Sequence, residues 1–106
     1  MRWDSLVTPK MVTGLSSGYV VTYDKAESIP RDKLAIQLRK ELKRLISKNH
    51  FAIWQPLPGM ENDKLRVIDV VALILADLTK RELSISYWED WNKRDSKIAN
   101  FLQQTE

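Results

Sequence analysis

"NDKLRVIDVVALILADLTKREL", residues 62–83, decides the fold. Its valines and isoleucines favour a strand, and its length favours a helix. On a helical wheel Arg66, Asp69, Asp77 and Lys80 share one narrow stripe, and nearly every other position is apolar. The stretch is therefore read as a largely buried central helix from about Asp63 to Lys80, with Asn62 able to cap it. Carboxylates on such a helix are expected to pair with Arg66 and Lys80, or to lie at an interface.

Toward the N-terminus, "SIPRDKLAIQLRKELKRLISKN", residues 28–49, reads as a second helix. Leu34, Leu38, Leu42, Leu45 and Ile46 recur at three and four, the period of one buried face. Ser28 is the expected N-cap, Pro30 suits the first turn, Asp32 suits the positive helix start, and Asn49 suits a left-handed C-cap. Before this helix, "KMVTGLSSGYVVTYD", residues 10–24, reads as a β-hairpin. Val, Thr and Tyr fit a pleated surface and "SSG" is turn chemistry, with Tyr19, Val21 and Tyr23 on the more apolar face.

Between the two helices, "HFAIWQPLPG", residues 50–59, reads as a short strand ended by prolines, and "LPGMEND" as a turn or loop. Beyond the central helix, "LSISYW" is either a last strand or a helix start. "WEDWNKRDSKIANFLQQ", residues 88–104, then reads as a helix, with Trp88, Trp91, Ile98, Phe101 and Leu102 near one face. The expected class is α+β: an N-terminal β-hairpin, a basic amphipathic helix, a short strand and two C-terminal helices. A βαβ unit from "GYVVTYD" to "HFAIW", as in ferredoxin-like folds, is a possible core.

With 106 residues the chain is expected to be a single domain, 1–106, able to bury one core without disulfides or metal. It has no cysteine, which removes thiolate nucleophiles and Cys-based metal or iron–sulfur sites. "MRWDSLVTPK" lacks the apolar core of a secretory signal, and "VIDVVALILADL" is too short and too charged to span a bilayer. A cytoplasmic protein with no membrane association is expected, of a cell or of a virus or phage within one.

The charge is unevenly placed. Residues 31–48 hold seven basic against two acidic side chains, a local +5; the rest carry ten basic and twelve acidic, a net −2. Within "RKELKRLISK", residues 39–48, Arg39/Lys43, Lys40/Arg44 and Arg44/Lys48 are like-charged i,i+4 pairs. Each such pair costs a helix roughly 0.2–0.5 kcal/mol. Self-repelling charge kept on one face matches an anion, and a phosphate backbone is the usual one. The plainer reading is a solvated helix face, or cations paired with acids from elsewhere in the fold.

Four tryptophans stand in the chain, and Trp88 and Trp91 bracket two acids in "YWEDW". Such indoles serve as partner-binding anchors or simply pack in the core. The acids beside them repel phosphate, which favours a protein partner there. Trp3 and Trp54 read as core or edge residues. "LTKRELSISYWEDWNKR", residues 78–94, resembles a helix-turn-helix in outline, but lacks a turn glycine and places Glu89 and Asp90 where a reader meets DNA.

Catalytic residues are not expected. The single histidine, His50, has no carboxylate at short spacing, so a capping or surface role fits it. No phosphate-binding loop, nucleophile elbow or zinc-protease motif occurs. "ELK", Glu41–Lys43, matches the acid-x-lysine element of some metal-dependent nucleases, which normally needs a strand. The sequence therefore points to a small non-enzymatic binding protein, without cofactor or metal. It is expected to be an accessory or regulatory factor that contacts nucleic acid through Arg39, Lys40, Lys43, Arg44 and Lys48. The alternative is a protein–protein adaptor or homo-oligomeric subunit, using the apolar helix 65–78 or Trp88 and Trp91.

Overall fold

The computed structural model describes residues 2–15, 17–48, 65–86 and 88–104. Over these residues the chain is α+β. A short turn of helix, α1 (Trp3–Leu6), leads into an antiparallel hairpin of β1 (Val7–Leu15) and β2 (Gly18–Lys25). Three helices follow: α2 (Arg31–Lys48), α3 (Val67–Thr79) and α4 (Trp91–Gln104). The expected strand at 50–59, the βαβ unit that depends on it, Asn49, His50, Trp54 and Asn62 lie outside the described residues.

The disputed stretch is a helix, and it is the centre of the molecule. From Ile68 to Leu78 every residue of α3 except Asp77 is buried. It packs against α2, β2 and α4. From α2 come Leu34, Leu38, Leu42 and Leu45, all buried. Val12 is buried on β1, with Tyr19, Val21 and Tyr23 half-buried on β2, the face expected from their alternation. Ile98 and Phe101 of α4 close the core, and Trp3 packs at its margin. Fully burying a side chain of this size contributes roughly 1.5–3 kcal/mol, so α3 supplies much of the drive to fold.

The hairpin turn requires its glycine. Gly18 has φ +134°, and a Cβ there would stand 2.9 Å from Ser84 Oγ and 3.2 Å from the Ile85 carbonyl oxygen. The 84–85 backbone approaches so closely because Tyr19 N–H donates to the Ile85 carbonyl (2.8 Å) and Ser84 Oγ to the Ser17 carbonyl (2.6 Å). Pro9, which has no N–H, stands beside the register shift between Pro9 and Met11, where a ladder tolerates proline.

Several boundaries differ from the expected ones. α2 begins at Arg31, not near Ser28: the Pro30 carbonyl accepts the Leu34 N–H (2.8 Å), which makes Pro30 the first acceptor of the helix. α4 begins at Trp91, because Asp90 caps it by accepting the Lys93 N–H on Oδ1 (2.8 Å). Trp88 therefore precedes the helix. "LSISYW" is neither strand nor helix over its described residues, since 81–86 form an irregular segment. That segment also removes the helix-turn-helix outline: among the described residues, no helix lies between Thr79 and Trp91. Among the described residues, no helix is long and apolar enough to cross a membrane.

Candidate nucleic-acid interface

The seven basic residues of α2 sort by type. Its three arginines are engaged within the molecule. Arg31 donates to the carbonyls of Leu78 (Nε, 3.2 Å) and Asp77 (Nη2, 3.4 Å), at the end of α3 where carbonyls lack helical partners. Arg39, half-buried, donates to the Leu102 carbonyl of α4 (3.4 Å). Arg44 closes its guanidinium fork on Glu41, with Nε 2.8 Å from Oε2 and Nη2 bonded to Oε1. The four lysines, Lys33, Lys40, Lys43 and Lys48, are all exposed.

Glu41 explains much of this. It is the only acid in "RKELKRLISK", yet only 4% of it is exposed. It belongs to the buried arc with Leu34, Leu38, Leu42 and Leu45. Arg44's forked hydrogen bond holds its carboxyl below the usual range, against the opposite push of burial; the Trp3 N–H adds to the lowering. The "ELK" element thus lies on a helix with its carboxylate turned inward. The outer face keeps four lysines, with Ile36 exposed among them and Asp32 at the N-terminal end.

The two tryptophans part company. Trp88 is 59% exposed. Trp91 is half-buried under Arg66, whose guanidinium carbon stands 5.2 Å from the ring centroid. The alternative interface on 65–78 meets a different outcome: the chain itself covers that apolar surface, so α3 offers it to no partner.

A buried polar network joins α3, α4 and the 84–89 segment, and the sequence showed only its first pair. Arg66 and Asp69 are both fully buried, and Arg94 is 1% exposed. Asp69 Oδ2 accepts from the Arg66 N–H (3.0 Å) and from Arg94 Nη1 (3.0 Å), while Oδ1 accepts from Arg66 Nη2 (3.1 Å). Asp69 thus closes one half of a capping box at the start of α3; a guanidinium has no acceptor for the other half. Arg66 Nη2 also reaches Asp95 Oδ1 (2.7 Å). Arg94 donates further to the carbonyls of Glu89 (3.1 Å) and Ser86 (3.2 Å).

Glu89 is buried with it and accepts the Ser86 N–H (2.8 Å) and Lys97 Nζ (2.8 Å) on Oε1. Burial pushes the Glu89 carboxyl up, but these bonds outweigh it and hold it below its usual range. The stripe Arg66, Asp69, Asp77, Lys80 therefore splits. Its first half is a buried ion pair; in its second half Asp77 is exposed and accepts the Tyr23 hydroxyl instead of Lys80. Burial first, then this bond to Asp77, pushes the Tyr23 hydroxyl well above its usual range. Among the described residues, no three acidic or histidine side chains form a metal-ligating group. Compared with known proteins, the chain matches no protein family, no curated protein and no solved structure.

Proposed function

We propose that this chain is a small binding protein, an accessory or regulatory factor that contacts nucleic acid through the outer face of α2. One observation carries the reading. Glu41, the acid within "RKELKRLISK", is buried, whereas Lys33, Lys40, Lys43 and Lys48 are exposed. Four like charges held on a rigid, well-packed helix repel one another and attract a polyanion. Binding follows counterion release, so it weakens steeply with salt. A place inside a cell, whether for a cellular, viral or phage protein, fits this partner.

The test is fluorescence anisotropy of labelled nucleic acid at low and near-physiological salt, with Lys40→Glu/Lys43→Glu beside wild type. Circular dichroism confirms that both fold; these side chains are exposed, so the fold is expected to hold. Wild type binds at low salt and the variant does not. Absence of wild-type binding at low salt would refute the reading.

A second reading, a protein partner or a second copy of the chain, has its own observation. Met11, Leu15 and Val20 are exposed on the hairpin, and Trp88 is exposed on the loop before α4. A molecular mass that rises with concentration, together with no nucleic-acid binding, would favour it.

A further inference from the structure

We infer that the ligand of the α2 face is the phosphate backbone of a duplex, contacted without regard to base sequence; this rests on the nucleic-acid reading above. The first argument is the kind of cation offered. Specific reading of guanine uses arginine or lysine on the base edge, and the open arginine fork is the one whose rigid geometry matches that edge. The forks on this helix are turned to protein: Arg39 to the Leu102 carbonyl and Arg44 to Glu41. The other cations of the helix are exposed lysines, compact point charges on flexible stems that suit phosphate and fit a base edge less closely than a rigid fork. Ser47 turns its hydroxyl back to the Arg44 carbonyl (2.9 Å), which leaves Gln37 as the neutral polar side chain on the outer arc.

The second argument is what the face lacks. Single strands are held by stacking bases on aromatic rings, worth roughly 1–3 kcal/mol per base. From Arg31 to Lys48 there is no Trp, Tyr, Phe or His. On α2 itself a single strand would meet charge and no ring, and it would have to be ordered along the helix. A duplex already presents rigid phosphate rows at about one charge per 1.7 Å of axis. Lys33 to Lys48 spans about 22 Å of helix, with the four ammonium groups spread over roughly 140° of its circumference. The inner leucines hold that face in place. Asp32 repels phosphate at the N-terminal end, so Lys40, Lys43 and Lys48 make the closest contacts.

The experiment titrates the full chain against two duplexes of unrelated sequence and against one of their single strands, over a salt series. Lys33→Gln, Lys40→Gln, Lys43→Gln and Lys48→Gln are run singly, each checked by circular dichroism. Four phosphate contacts give a slope of log affinity on log salt of about −3.6 for the duplex and about −2.8 for the single strand. If the affinities are equal at 1 M salt, the single strand binds about sixfold more weakly at 0.1 M. Both duplexes bind alike, and each substitution lowers the slope by about 0.9. A single strand that binds as tightly as the duplex, or a preference between the two duplexes, overturns this inference and leaves the nucleic-acid reading standing. Failure of every probe to bind at low salt overturns both.

Discussion

Asp69 is the residue on which the buried network turns. Its two oxygens serve both Arg66 and Arg94, so one carboxylate neutralises charge on two helices. Removing one partner from a buried ion pair costs roughly 3–5 kcal/mol, because the remaining charge stays buried. Asp69→Asn keeps the volume and loses the charge, so a loss of that size is expected in a urea-unfolding series. Asp95 also meets Arg66, but its side chain is 29% exposed. Solvent screens that contact, and Asp95→Asn is expected to cost less than about 1 kcal/mol. Equal, small losses for the two variants would mean that Asp69 is not the anchor described.

At the scale of the element, the end of α3 carries a correctable strain. Lys80 adopts φ 55°, ψ 38°, the left-handed conformation that closes the helix. Its N–H and that of Arg81 return to the last turn, the latter to the Ala76 carbonyl at 2.9 Å. This geometry favours glycine, since a Cβ there meets the following carbonyl. Lys80→Gly is therefore expected to stabilise the protein by about 0.5–1 kcal/mol, after allowing for the added freedom of the unfolded chain. The readout is a higher thermal midpoint with no change in nucleic-acid binding, because Lys80 caps the end of α3 and is not part of the lysine face of α2. A lower midpoint would show that the Lys80 side chain stabilises the fold by more than its backbone strain costs.

For the whole molecule, acid stability reports how the buried carboxylates are held. Glu41 and Glu89 both have folded values below their ordinary 4.5. A depressed value contributes stability that is complete above the unfolded pKa and disappears as pH falls through the folded one. Stability is expected to be level from neutral pH down to about 4.5 and to decline below it. Glu41→Gln should cost about 1–2 kcal/mol at neutral pH, toward the lower end because Arg44 is partly exposed. It should also flatten the acid limb. The check is the denaturant midpoint against pH for both proteins. Acid limbs that stay parallel would mean that Glu41 contributes nothing to the decline.

The sequence by itself determined the periodic elements. The leucine spacing of α2, the alternation of Tyr19, Val21 and Tyr23, and the apolar length of α3 each follow from one-dimensional pattern, because a buried face repeats at the period of its own backbone. The stripe through Arg66 and Asp69 likewise foretold a local pair, since i,i+3 neighbours meet on any helix. Tertiary structure alone decided what lies across the molecule. Arg94 meets Asp69 from twenty-five positions away, and Arg39 meets Leu102 from sixty-three. Chain pattern carries no information on such contacts, so it counted Arg39, which is half-buried against α4, with the exposed cations. A charge count along the chain likewise says nothing of the packing that turns the Glu41 carboxylate inward. Which cations of "RKELKRLISK" face water was settled by what packs against the other side of the helix.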